Sequence, residues 1–110
     1  QLHGGIAQGA GQVLMEDSIY DNDGQLISGS YMDYAIPRAD NMPYFKLGFH
    51  PVPCRTNAIG VKGAGESGTI AALPTIMNAI VNALKSAGVS NANMIDMPAT
   101  PEKIWRALNG

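Results

Sequence analysis

The sequence predicts an α+β fold, a mixed or antiparallel sheet with two main helices packed on one face. Three observations predict it. Between residues 69 and 87 the apolar positions recur at three and four, a spacing that keeps them together only on a helix. Residues 44–52 (YFKLGFHPV) alternate, with Phe45, Leu47 and Phe49 on one side, as a half-buried strand requires. Asp21-Asn22-Asp23-Gly24 is a turn of the kind that closes a hairpin. The order helix, hairpin, strand, loop, helix, short strand, helix contains no regular βαβ unit, so helices segregated to one face fit better than a doubly wound sheet.

Each element has its own grounds. Residues 1–16 place Leu2, Ile6, Ala10 and Val13/Leu14 on one helical face. Gly4, Gly5, Gly9 and Gly11 oppose that helix at up to about 1 kcal/mol each. Such a helix needs a reason, and close packing against another backbone or a cofactor supplies one. Ser18–Tyr20 and Gln25–Ile27 flank the turn as hairpin strands, and Tyr31–Ile36 continues extended up to Pro37. Residues 39–43 and 56–68 read as loop. Ile70, Leu73, Met77, Ile80, Val81 and Leu84 form the apolar stripe of the second helix. Pro74 is expected in the first turn of that main helix, with a short turn before it, and Gly88 at its C-terminal cap. Met94–Met97 is a candidate short strand. Thr100-Pro101-Glu102 starts a terminal helix, with Thr as N-cap, Pro next and an acid in the first turn. Ile104, Trp105 and Leu108 are expected to face inward.

With 110 residues and 11.6 kDa there is room for one domain. Seven basic against nine acidic residues give a net charge of -2, which excludes the basic footprint of a nucleic-acid binder. A 45% hydrophobic and 15% charged composition argues against disorder. The single Cys54 excludes an internal disulfide, and it reads as a small packed residue with only Arg55 nearby to activate it. His3 and His50 are far apart without cysteine pairs, which excludes a zinc site of usual spacing. The apolar runs are interrupted too early for an uninterrupted membrane span. The six methionines read as core gap-fillers. A start at Gln1, without an initiator Met or a signal sequence, reads as a piece of a longer chain.

The sharpest feature is Gly60-Val61-Lys62-Gly63-Ala64-Gly65-Glu66-Ser67-Gly68. Glu66 is the only acid between Asp40 and Asp96, in a stretch that also holds Lys46, Arg55, Lys62 and Lys85. Backbone N–H groups of such a loop, leading into a helix, can cradle an anion, and a carboxylate beside that anion can act as a general base. Gly63-x-Gly65-x-x-Gly68 also matches the dinucleotide fingerprint, but the preceding strand is poor and no acid lies about 20 residues on. A glycine-rich connector with a solvated Glu is the plain alternative.

Taken together, four segments carry a resemblance: Gln1-x-His3-Gly4-Gly5-x-x-Gln8-Gly9-x-Gly11, Asp33-Tyr34-x-x-Pro37, Gly60-x-Lys62-Gly63-x-Gly65-Glu66, and Pro98-x-Thr100-Pro101-Glu102. In this order, over essentially the whole chain, they resemble the C-terminal end of the molybdenum-binding large subunit in the xanthine dehydrogenase/aldehyde oxidase family of molybdenum hydroxylases. The resemblance implies one domain, residues 1–110, forming part of a larger molybdopterin-binding subunit. It implies oxidative hydroxylation of an N-heterocycle or aldehyde at a Mo–pterin centre, water supplying the oxygen. The cofactor implied is molybdopterin, in bacteria usually the cytosine dinucleotide form. Iron–sulfur clusters and FAD are implied on partner subunits, and the cytoplasm is the family's usual location.

By the same resemblance Glu66 is the general base, and a dry, glycine-walled setting would make its carboxylate more basic. Gln8, Gly9, Lys62, Gly63, Gly65 and Ser67 are the implied cofactor-contacting positions, with the glycines of the first helix pressed against the pterin. The remainder of the large subunit, where the substrate pocket is expected, is the implied structural partner. A dinucleotide-binding module and a non-catalytic structural piece remain the alternatives.

Overall fold

Glycine decides how the first two helices meet. The computed structural model describes residues 1–110 and contains helices α1 (Leu2–Leu14), α2 (Ser67–Ser86) and α3 (Pro101–Asn109), with single 3-10 turns at Ala39–Asn41 and Ala92–Met94. α1 and α2 run in the same direction and touch through backbone. A Cβ on Gly68 would stand 2.6 Å from the Leu2 carbonyl oxygen and 2.9 Å from the Ile6 nitrogen. One on Gly9 would stand 2.7 Å from the Ala72 Cβ. The glycine side of α1 is therefore the buried one, with Gly5, Gly9, Ala10, Gly11 and Val13 out of solvent. Of the expected inner face, Ala10 and Val13 are buried, whereas Leu2, Ile6 and Leu14 are only half-buried. The reason for the glycines is α2 at positions 5 and 9 and the Pro37 ring at 11, whereas Gly4 faces open space. Packing against a pterin is not what positions 5, 9 and 11 do.

α2 starts two residues earlier than expected and runs unbroken through Pro74, which sits in its interior instead of its first turn. Its end is as expected: Gly88 at φ 91 lets Val89 N–H reach the Leu84 carbonyl at 3.0 Å and Gly88 N–H reach that of Lys85 at 3.0 Å. Leu84 is buried, while Ile70 from the predicted stripe is exposed and the close contacts fall to Gly68 and Ala72. By length and composition α2 is apolar enough to cross a bilayer, which counting unbroken apolar runs did not reveal. One such helix, docked on α1 by backbone contact and carrying Asn78 and Asn82, is weak evidence for a span.

The predicted sheet does not form within these residues. The hairpin is reduced to one antiparallel bridge, Tyr20 with Leu26, around the expected turn. In that turn Asp21 Oδ1 accepts from the N–H of Asp23 at 3.0 Å and of Gln25 at 2.8 Å. Tyr31–Ile36 is not extended: Asp33 and Tyr34 both donate N–H to the Ser30 carbonyl, making a turn. Asp33 and Tyr34 fix it further, with Ser30 Oγ donating to Asp33 Oδ2 at 2.6 Å and Tyr34 Oη donating to Glu16 Oε2 at 2.7 Å. Tyr44–Val52 follows an irregular course without a pairing partner, and Met94–Met97 forms no strand. A strand needs a neighbour to take its hydrogen bonds, and beyond the short Ile19–Ile27 pairing none of these segments forms a ladder.

Thr100 caps α3 as expected, its Oγ1 accepting from Lys103 N–H at 3.3 Å. Trp105, however, is 64% exposed and Leu108 is exposed, leaving Ile104 half-buried. No methionine is buried, so none fills a core. The core is a seam of Ala10, Val13, Ala72, Leu84, Ala92 and Ala99, with Ala99 N–H donating to the Val13 carbonyl at 2.6 Å.

Candidate functional site

Glu66 stands at the N-cap of α2, immediately after the glycine loop. Its carbonyl accepts from Ile70 N–H at 3.0 Å, the first bond of the helix, while its side chain caps nothing. The only ion pair in the chain is Arg106 with Glu102, so the Glu66 carboxylate is unpaired. It is also exposed. The dry enclosure expected around it is not built by these 110 residues.

Two hydrogen bonds fasten the start of α2 to the start of α1. Gln1 Nε2 donates to the Gly65 carbonyl at 2.9 Å, and Thr69 Oγ1 donates to the Gly5 carbonyl at 3.1 Å. Gln8 lies seven residues beyond Gln1, two helical turns less about 20°, so it stands on the side of α1 from which Gln1 reaches the loop, about 10 Å further along. Gln8 is exposed and Gly9 is buried against α2. The structure thus brings the two segments together and leaves Gln8 and Glu66 apart, on a common frame.

Lys62, Gly63 and Ser67 line an open cleft of about 600 Å³ with His50, Phe49 and Gly60. Gly60 takes φ 68, a left-handed turn that suits glycine. Gly63 and Gly65 are different. Neither has a positive φ, and a Cβ on either would meet nothing within 4 Å. Nothing in this chain calls for glycine there; a group approaching from outside would. That open backbone, beside Lys62 and the N-terminal end of α2, fits an anionic cofactor.

The dinucleotide reading does not fit. No strand precedes Gly63, and Gly68 packs on α1 instead of on a strand. His3 is exposed against the rings of Tyr44 and Phe45, at 6.5 and 5.5 Å, and belongs to no cluster of three or more metal-ligating side chains. The Arg38 side chain pairs with neither Asp40 nor any other acid.

Sequence reasoning missed two features. One is an apolar groove of about 550 Å³ between α1, α2 and the 41–47 segment, lined by Ile6, Leu14, Phe45, Leu47 and Ile76 among others, with no titratable group. The other is Cys54, whose Sγ lies 3.0 Å from Thr56 Oγ1. Hydrogen bonds from the Thr56 side chain and backbone hold the thiol below its ordinary pKa, and Arg55 plays no part. The Cys-x-Thr spacing was the available signal.

The chain is similar to known proteins over essentially its whole length. The family profile described as "Molybdopterin cofactor-binding domain" matches residues 1–43, the stretch containing α1. The chain is 42% identical over its full length to the nicotine 6-hydroxylase large subunit of Paenarthrobacter nicotinovorans, of which it covers 13%. It is 32% identical over 98% of its length to the carbon monoxide dehydrogenase large chain of Hydrogenophaga pseudoflava, again covering 13%. The crystal structure of quinoline 2-oxidoreductase from Pseudomonas putida 86 superposes with a TM-score of 0.86 at 38% identity, over 97% of this chain and 13% of that one.

Proposed function

Since this chain belongs to the xanthine dehydrogenase/aldehyde oxidase family of molybdenum hydroxylases, we propose that it forms the part of a molybdenum-binding large subunit that supplies the general base, Glu66. The observation that carries this is the Lys62–Glu66 loop, whose Gly63 and Gly65 expose bare backbone for no reason internal to the chain. The chain spans about an eighth of the relatives it matches, so the remainder of the subunit completes the site and closes it from water.

Gln8, Lys62, Gly63, Gly65 and Ser67 are the residues we assign to hold the cofactor, molybdopterin in its cytosine dinucleotide form, while Gly9, turned to α2, lets the helix carrying Gln8 pack closely. When bound, that group supplies the two-electron oxidation. Gln8 offers an amide that both donates and accepts, Lys62 a positive charge, and the loop its N–H groups at the positive end of α2. Glu66 takes the proton of the attacking water-derived oxygen at its carboxylate. The substrate class is an N-heterocycle, as in the names of the relatives at 42% and 38% identity, before an aldehyde. Electrons leave through iron–sulfur and FAD subunits, and the assembly is cytoplasmic. Residues 44–52 pair as a strand with another part of the subunit, which restores the sheet missing here.

The test is the parent protein purified from its own host. About one Mo and one pterin per large chain, together with turnover lost by 10²- to 10⁴-fold in Glu66→Gln while Mo is retained, is the expected result. A metal-free parent, or a Glu66→Gln enzyme with full turnover, overturns the assignment.

A further inference from the structure

The two hydrogen bonds that join α1 to α2 bracket Glu66, one at Gly65 and the other at Thr69. Between them Gly5 and Gly68 meet backbone to backbone, with the position of a Gly5 Cβ only 3.1 Å from the Gly68 Cα. The peptide carrying Glu66 is fastened on both sides to the first turn of α1, whereas the carboxylate itself is held by nothing. On the other side the loop is open: a Cβ on Gly63 or Gly65 would meet nothing within 4 Å.

We propose that Gln1 and Thr69 are positioning residues, clamping the Glu66 peptide to α1 so that the base and Gln8 move as one rigid unit against the cofactor. This rests on Glu66 being the base. Neither residue touches the reacting atoms. Each acts by fixing a backbone carbonyl: Gln1 that of Gly65, Thr69 that of Gly5. Sequence alone does not reveal the clamp, because each bond joins residues 64 positions apart.

The experiment uses the parent holoenzyme with Thr69→Val, Thr69→Ser and Gln1→Ala. Thr69→Val keeps the shape and removes the donor; Thr69→Ser keeps the donor. The expected result is a kcat lowered about 10- to 100-fold in Thr69→Val with KM and Mo content little changed, because a small misplacement of a catalytic group is costly. Thr69→Ser should restore kcat. Hydrogen–deuterium exchange should quicken at the amides of 62–66 in Thr69→Val and in Gln1→Ala, but not in the middle of α2. Gln1 bonds at the surface, so Gln1→Ala leaves the packing intact even where Thr69→Val folds poorly. Unchanged kcat and unchanged exchange in Gln1→Ala overturn the proposal, as does failure of Thr69→Ser to restore what Thr69→Val loses. Glu66→Gln is run alongside. If it retains turnover, the base assignment falls, and exchange at 62–66 still judges the clamp independently.

Discussion

Cys54 and Tyr34 show how hydrogen bonding biases the charge a residue prefers, and they do so in opposite directions. At Cys54 the Thr56 hydroxyl and N–H favour the thiolate, so the thiol pKa is lowered. A group with a depressed folded pKa adds stability above its unfolded pKa and loses it as pH falls through the folded one. Alkylation of the parent protein by iodoacetamide should therefore reach half its maximal rate at a lower pH than for an ordinary thiol. Thr56→Val should move that midpoint upward; an unmoved midpoint would mean the hydroxyl is not the cause. At Tyr34 the hydrogen bond to Glu16 comes first, then burial, then the charges of Glu16 and Asp17, and all raise the phenol pKa. Here the contribution is full below the unfolded pKa and lost as pH rises through the folded one. Spectrophotometric titration should find a phenol ionising above the ordinary tyrosine value, and Tyr34→Phe should delete that step. The Cys54 contact was within reach of the sequence, since its partner is two residues away. The Tyr34 bond spans 18 residues and becomes visible only once the chain has folded back on α1.

Helices were legible because a helix satisfies its own backbone, and strands were not because a strand depends on a neighbour. The caps Thr100 and Gly88 fell where their chemistry placed them. Periodicity placed Ala10 and Val13 correctly on the inner face of α1 but misjudged its first turns, because hydrophobicity ranks Leu2 and Ile6 above glycine whereas the close backbone contact with α2 falls at Gly5 and Gly9. The glycines therefore divide into two classes. Gly68→Ala gains about 1 kcal/mol of helix propensity, but its Cβ would sit against two backbone atoms of α1 that have little freedom to yield. Overpacking of that kind costs about 1–3 kcal/mol, so the net effect should be a lower Tm of the parent subunit. Gly63→Ala meets open space at an ordinary φ and should leave Tm unchanged or raise it, by about 0.4–1 kcal/mol of stability. Cofactor content should respond differently, with Gly63→Ala losing Mo although it is the stable variant. Full Mo loading in Gly63→Ala would show that its bare backbone is not approached by the cofactor.

At the scale of the molecule, the 110 residues enclose no more than a thin seam of core. Only 11 are buried, and the Cα radius of gyration is 17.7 Å against about 13 Å for a compact domain of this length. Tyr44 is 91% exposed and Phe49 78%, both on the segment whose alternation reads as a strand. Composition, pattern and exposure fit together if the hydrophobic side chains are meant for surfaces elsewhere in a large subunit, which also explains why a globular composition did not yield a globular fold. Expressed alone, the chain should bind a dye such as ANS strongly, unfold with little cooperativity and associate at micromolar concentration. Expressed together with the rest of the large subunit as a separate polypeptide, it should be recovered in a stoichiometric complex, and its amides at 44–52 should become protected from exchange as they gain strand partners. A monomeric, cooperatively melting chain that ignores both the dye and the rest of the subunit would show that these residues close their own core, and would remove the structural reason for assigning Glu66 to a site completed by other parts of the protein.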